Sequence, residues 1–220
     1  MQISGQDFHQ VIAIDGPAAS GKSSVARELA RRLGFVYVNS GAIYRAITWH
    51  ILKEAVQIEN IDRVTDALES AAISCHVQNS ESRTLVNNID PANHLRDDQV
   101  NKVVSRVSRL PVVRRIVGQK LHEHAQSHDL VVEGRDIGSV VFRETPFKFY
   151  VDASPEVRLR RRAAQGERDA ITLRDRADSS RSVSPLVRAD DAYVIDTSHL
   201  TVENVVCEIL DRLREIGLRV

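Results

Sequence analysis

Aromatic side chains are scarce in this 220-residue chain, 5% in all, with one Trp, four Tyr and five Phe. That is too few for a surface that stacks a run of nucleic-acid bases. Cysteine is scarcer still. Cys75 and Cys207 stand alone and far apart, which excludes a disulfide scaffold, a CxxC pair and thiolate metal spacing, and predicts two reduced, buried thiols. No apolar run approaches the roughly 18 residues of a membrane span, and the N-terminal MQISGQDFHQ has neither a basic nor an apolar signal region. A soluble, cytoplasmic protein is expected. Net charge is also missing: 30 Lys plus Arg balance 30 Asp plus Glu, which argues against a polybasic tail or membrane anchor. The chain has no internal repeat, low-complexity tract or Pro- or Gly/Ser-rich linker.

What remains is ordinary globular composition, 42% hydrophobic and 27% charged, at a length that suits one domain with a sizeable insert. The positive charge is built from 25 Arg and only 5 Lys, and nine of those Arg fall between Arg158 and Arg188. A guanidinium grips phosphate oxygens with a planar fork of donors, although coding bias and solvated helix faces give the same composition.

The rhythm of elements is α/β. Val11 to Asp15 reads as a short buried strand before a Gly-rich turn, followed by a helix with Val25, Leu29 and Leu33 at steps of four and Gly34 as its stop. Phe35 to Val38 predicts a second strand and Ala42 to Glu54 a second helix. From about Ile61 to Val107 the pattern changes to a helix, two short strands at Ile73 to Val77 and Thr84 to Ile89 around the polar NSES, and a helix from about Asp97, an insert over the core. After a helix following Pro111, Leu130 to Glu133, Phe147 to Val151 and Tyr193 to Ile195 predict buried parallel strands.

Gly16-Pro17-Ala18-Ala19-Ser20-Gly21-Lys22-Ser23, followed by Ser24, fits G-x-x-x-x-G-K-[ST] between a strand and a helix. Such a loop wraps a phosphate with backbone N–H groups and the helix N-terminus. Lys22 then reaches the β and γ phosphates of a nucleoside triphosphate, and Ser23 is placed to ligate Mg²⁺, which suits GTPases, ATPase motors and small-molecule kinases alike. No NKxD run is present to read guanine. Glu133, ending a strand, suits a carboxylate that orders Mg²⁺ through water, or one merely paired with an Arg. HEHAQSH does not have the HExxH spacing of a zinc pair.

Five segments carry a closer likeness: VIAIDGPAASGKSSVA, NSGAIYRAIT, VEGRDIGSVVF, FYVDASPEVRLRRR and SSRSVSPLVRADDAYVIDTS. With SRVSRLPVVRR they resemble, in order and spacing and over most of the chain, the bacterial cytidylate kinases. The resemblance implies a P-loop NTPase-type fold: a five-stranded parallel sheet flanked by helices, a core of residues 1–58 and 109–220, an NMP-binding insert at 59–108 and a short lid at about 160–176. It implies ATP-dependent phosphorylation of CMP and dCMP by a monomer using Mg²⁺, with no nucleic-acid or membrane partner. By the same resemblance Arg45, Arg135 and Arg181 hold the acceptor phosphate, and Asp136 and Arg114 read cytosine with Ser40 and Ser105 nearby. Arg174 and Asp178 hold the ribose, and Arg158 and Arg162 face the transferring phosphoryl group.

Cytosine offers an N4 amino donor beside the N3 and O2 acceptors, so a carboxylate next to a cationic donor is the matching reader, and uracil reverses the N4 and N3 pattern. Taken singly, Arg45 and Arg135 read equally well as surface ion-pairing residues and Asp136 as a helix cap. A UMP kinase and a non-catalytic nucleotide-binding regulator are the alternatives. Three departures from the family stand out: only eleven residues separate Arg162 from Arg174, Asn39 stands where Asp is usual, and Arg143 where Pro is usual.

Overall fold

The computed structural model describes residues 9–164 and 187–218. Four apolar residues and a terminal Asp make β1 (Val11–Asp15), buried throughout, and it lies at the centre of the parallel strands. It pairs in parallel with β5 (Leu130–Gly134) on one side and β6 (Lys148–Asp152) on the other. β2 (Val36–Asn39) continues the parallel set beyond β5, and β7 (Tyr193–Asp196) closes it beyond β6. This is the expected five-stranded parallel core, in the order β2-β5-β1-β6-β7.

A hairpin extends the sheet to seven strands. β3 (Ile73–Gln78) and β4 (Glu81–Val86) pair antiparallel, and β4 joins the outer edge of β2 through Tyr37 and Glu81. The second hairpin strand ends three residues earlier than the sequence pattern predicts. Asn79 and Ser80 both have positive φ (52° and 59°), as a two-residue primed turn requires, so pairing resumes at Glu81 rather than after NSES. Asn87 and Asn88 repeat the device at 51° and 62°, folding Ile89 back on Val86 and closing the strand.

Alternation within β1 sends its side chains to two cores. Val11 and Ala13 face a layer made by α2 (Ser40–Lys53), α3 (Ile61–Glu69), α4 (Asp98–Val107) and α5 (Pro111–Ala125), with Ile43, Ile47, Val64, Val107, Val117 and Leu121 buried. Ile12 and Ile14 face α1 (Lys22–Leu33) and α7 (Val202–Glu215), against Val25, Leu29, Val205 and Ile209. Helix ends follow the sequence signals: Gly34 takes a left-handed φ of 70° after α1, and Pro111 opens α5. α6 (Pro155–Ala164) starts on Pro155, and the Ser154 hydroxyl accepts from the Val157 N–H at 3.4 Å.

Two expectations are corrected. Only Ile195 of β7 is buried, because β7 is an edge strand with one face on the core, not an interior strand. Cys207 is exposed on the outer face of α7 beside Glu203, and Cys75 is half-buried; both are free thiols.

The hairpin rests on α5 through His124, whose Nε2 lies 2.8 Å from the Ser82 hydroxyl. Burial first, and then His128 and His76, hold the His124 pKa below its ordinary value. The unfolded chain therefore takes up a proton below about pH 6.5 that the folded chain resists, and stability falls as pH drops through that range. Lys120 and Glu123 line the same small cavity. We expect His124→Gln, which keeps a partner for Ser82, to lose less stability than the unaltered chain between pH 7.5 and 5.5. Thermal melts at the two pH values check this, and parallel losses would contradict it.

Candidate active site

The C-terminal ends of β5 and β2 and the loop that follows β1 open onto one cleft of about 980 Å³. Open parallel sheets bind ligands at such ends, where the chain order reverses about the central strand. After β1 the chain turns through the glycine-rich loop. A Cβ on Gly16 would lie 2.1 Å from the Val151 carbonyl oxygen, so the loop backs directly onto β6 and only glycine fits. Gly21 caps α1 at φ 94°, and no acidic residue occupies that helix's first turn, leaving its positive end open to an anion. Ala18, Ala19, Gly21, Lys22, Ser23 and Ser24 line the cleft, while Gly16, Pro17 and Ser20 form the inner side of the loop.

Lys22 is folded back onto its own loop, donating from Nζ to the Pro17 carbonyl at 3.0 Å, with Glu133 Oε2 at 4.0 Å. Glu133 is buried, and its other oxygen accepts from the Tyr37 hydroxyl at 2.8 Å. Burial, and then the Glu133 charge, push the Tyr37 phenol well above its usual range, so it remains a donor. Arg27 stacks over the Tyr37 ring at 4.6 Å and bonds Glu81 at 2.6 Å, tying α1 to the hairpin. Asn39 caps α2, its Oδ1 accepting from the Ala42 N–H at 3.1 Å. That fixes its amide group as the donor toward Tyr37, at 3.4 Å.

Across the cleft, Ser40 donates to the Glu133 carbonyl at 2.8 Å, and Arg45 bonds the Leu95 carbonyl (2.8 Å) and Asn101 (2.7 Å). Ser105 and Arg135 line the same wall. Asp136 forms a buried ion pair with Arg114, the two side chains 5% and 9% exposed. Asp136 faces the cleft, whereas Arg114 stands behind it, donating also to the Ser108 carbonyl at 3.2 Å and lying over the Tyr44 ring.

The α6 arginines divide differently from the sequence expectation. Arg162 lines the cleft, but Arg158 does not: its guanidinium donates to the Ala153 and Ala18 carbonyls and buttresses the loop. Arg161 lines the cleft as well, donating to the Ser20 carbonyl at 3.1 Å and to the Thr197 carbonyl at 2.7 Å. Thr197, buried after β7, accepts from Arg161 at 2.9 Å and lies 2.7 Å from the Ser20 carbonyl. Sequence reasoning passed over Tyr37, Thr197 and Asp15. The one signal for Thr197 was its place at the end of a strand in the IDTS segment. Asp15 ends β1, and burial pushes its carboxyl up to about 6 although two backbone N–H groups, of Ile137 and Gly138, bond it. Arg174, Asp178 and Arg181, and most of the expected lid, lie outside the described residues.

Among the described residues no three His, Cys, Asp or Glu side chains gather as a metal cage. Ser23 and Glu133 do open onto the same cleft, which fits a hard cation held mainly by phosphates and water with few protein ligands. Among the described residues no helix is long and apolar enough to cross a membrane.

A family model for cytidylate kinase matches residues 12–215. The cytidylate kinase of Rhodococcus opacus (strain B4) is 40% identical over 212 residues, covering 91% of this chain and 93% of the relative. That of Caldanaerobacter subterraneus subsp. tengcongensis is 38% identical over 215 residues, covering 93% and 94%. A bifunctional pantoate ligase/cytidylate kinase of Prochlorococcus marinus is 34% identical over 93% of this chain and 42% of its own. Among solved structures, one from Thermus thermophilus shares the fold with a TM-score of 0.51 at 19% identity, covering 94% of this chain and 99% of its own.

Proposed function

The chain belongs to the cytidylate kinase family, and from that premise we propose that it transfers the γ-phosphoryl group of ATP, with Mg²⁺, directly to CMP and dCMP. It is a nucleoside monophosphate kinase, and the observation that carries the finer reading is the shared cleft. The glycine-rich loop and Asp136, backed by its ion pair with Arg114, line one space.

In this reading the loop amides and the α1 N-terminus hold the donor phosphates, and Lys22 leaves the Pro17 carbonyl for their oxygens. Arg45 and Arg135, joined by Arg181, hold the acceptor phosphate. Asp136 accepts from the cytosine amino group, and Arg114 fixes that carboxylate from behind. Arg174 and Asp178 hold the ribose. An oxygen of the acceptor phosphate forms the new bond to the γ phosphorus as the bond to the ADP oxygen breaks, so no protein nucleophile is needed. Ser23 and, through water, Glu133 would hold Mg²⁺, which would supply charge neutralisation to the phosphates. Arg162 faces the transferring group, and Arg158 serves it by supporting the loop at Ala18.

Product chromatography after incubating the protein with Mg²⁺-ATP and CMP, dCMP, UMP, AMP or GMP, each offered separately, tests the proposal. CDP and dCDP should form with kcat/KM at least about 10²-fold above the other acceptors. Equal rates with UMP would overturn the role of Asp136. No diphosphate from any acceptor would overturn the reaction.

A further inference from the structure

We propose that Asp15 is a positioning residue for phosphoryl transfer: its carboxylate ties the segment bearing Arg135 and Asp136 to the strand that launches the glycine-rich loop. The inference rests on the reading of the site above. Asp15 immediately precedes Gly16 and is 5% exposed. One carboxylate oxygen accepts from the Ile137 N–H and the other from the Gly138 N–H, both at 2.8 Å. Those two amides directly follow Arg135 and Asp136, the residues assigned to the acceptor.

The sheet cannot do this work. The β1–β5 ladder ends at Asp15 opposite Gly134, and beyond it the chain leaves the sheet in a wide helical turn, Ile137–Val141. Where the ladder stops, the carboxylate replaces it. The turn packs closely at its start: a Cβ on Gly134 would meet Ile137 at 2.6 Å and Ser40 at 2.7 Å, and one on Gly138 would meet Lys148 at 3.1 Å. The donor side is fixed independently, by Gly16 against Val151 and by Thr197 and Arg161 on the Ser20 carbonyl. Asp15 therefore sets the acceptor residues relative to an already rigid donor loop. A carboxylate is suited to this because its two acceptor oxygens meet two adjacent donors. An amide in its place offers one oxygen and turns an N–H₂ group toward the second donor.

Asp15→Asn in the full chain is the test, read against the unaltered protein. Affinity for Mg²⁺-ATP, measured by calorimetry without acceptor, should stay within about twofold. kcat/KM for CMP should fall about 10²-fold, and the preference for CMP over UMP should shrink with it, as expected for a small misplacement of the reacting groups. A lowered melting temperature with unchanged CMP kinetics and unchanged CMP-to-UMP ratio would overturn the inference, since that is what a purely structural role produces. If the unaltered chain phosphorylates no monophosphate, the functional reading fails on that protein alone, before the variant is compared. Hydrogen exchange of the unaltered chain decides the tether even if the variant does not fold. The Ile137 and Gly138 amides should exchange as slowly as those of β5, and exchange at the rate of exposed loop amides would overturn it.

Discussion

Lys22→Ala is expected to lower kcat by about 10³-fold or more while leaving the circular dichroism of the folded chain intact. The magnitude follows from what the side chain neutralises. Removing one preorganised donor from a site of developing charge costs about 10²–10³-fold, and a full positive charge on a transferring phosphoryl group is worth about 10³–10⁵-fold. Lys22 is the first residue of α1 and is buried, with the Pro17 carbonyl and the Glu133 carboxylate beside its ammonium group. The same change takes the ammonium group away from the buried Glu133 carboxylate, which keeps the Tyr37 hydroxyl, so a modest drop in melting temperature should accompany the kinetic loss. Steady-state kinetics with CMP and a thermal melt measure both effects. A rate within tenfold of the unaltered chain would remove Lys22 from the reaction.

Asp136→Ala should produce two separable losses. Its ion pair with Arg114 is almost wholly out of water, and removing one partner of such a pair leaves a buried charge uncompensated, at a cost of about 3–5 kcal/mol in stability. The acceptor base also loses its carboxylate, so kcat/KM for CMP should fall about 10²–10⁴-fold. A double replacement distinguishes the effects. Arg114→Met combined with Asp136→Leu removes both charges and fills the volume, which is often neutral for stability. Its urea midpoint should recover toward that of the unaltered chain while CMP turnover stays lost. Recovery of turnover together with stability would mean that the pair only holds the fold.

The glycine-rich loop was legible because its constraints are local. Gly16 abuts β6, Gly21 takes a positive φ, and the helix must start at Lys22, so the residue types are dictated at fixed spacing. The interior parallel strands were legible for a similar reason, since burial on both faces leaves an apolar run such as the VIAI of β1, whereas β7 shows a similar apolar pattern at an edge with one face open. The hairpin was harder. Its turn lay in Asn79 and Ser80, whose backbone conformation a polar stretch of four residues does not reveal, and its docking on β2 depends on the Tyr37–Glu81 pairing. The α6 arginines show the limit of helical periodicity. A step of 100° places Arg158, Arg161 and Arg162 on one side, but only tertiary partners turn Arg158 onto the Ala18 carbonyl and Arg161 onto Thr197. Asp15 and Tyr37 left no local mark, since their partners, Ile137, Gly138 and Glu133, lie about a hundred residues away along the chain.

The placement of β1 has a consequence for how the protein is made. Of the described strands β1 is the first to be translated, yet it is the middle of the five parallel strands, and its two neighbours begin at Leu130 and Lys148. Until translation has passed both, VIAID has no ladder to join and remains an apolar segment without cover, and pairings this distant are slow to close. The nucleotide loop, which takes its shape from Val151 and Thr197, can form only after that. A nascent chain stalled before β6 should therefore bind no nucleotide and should depend on whatever shields its N-terminal strand.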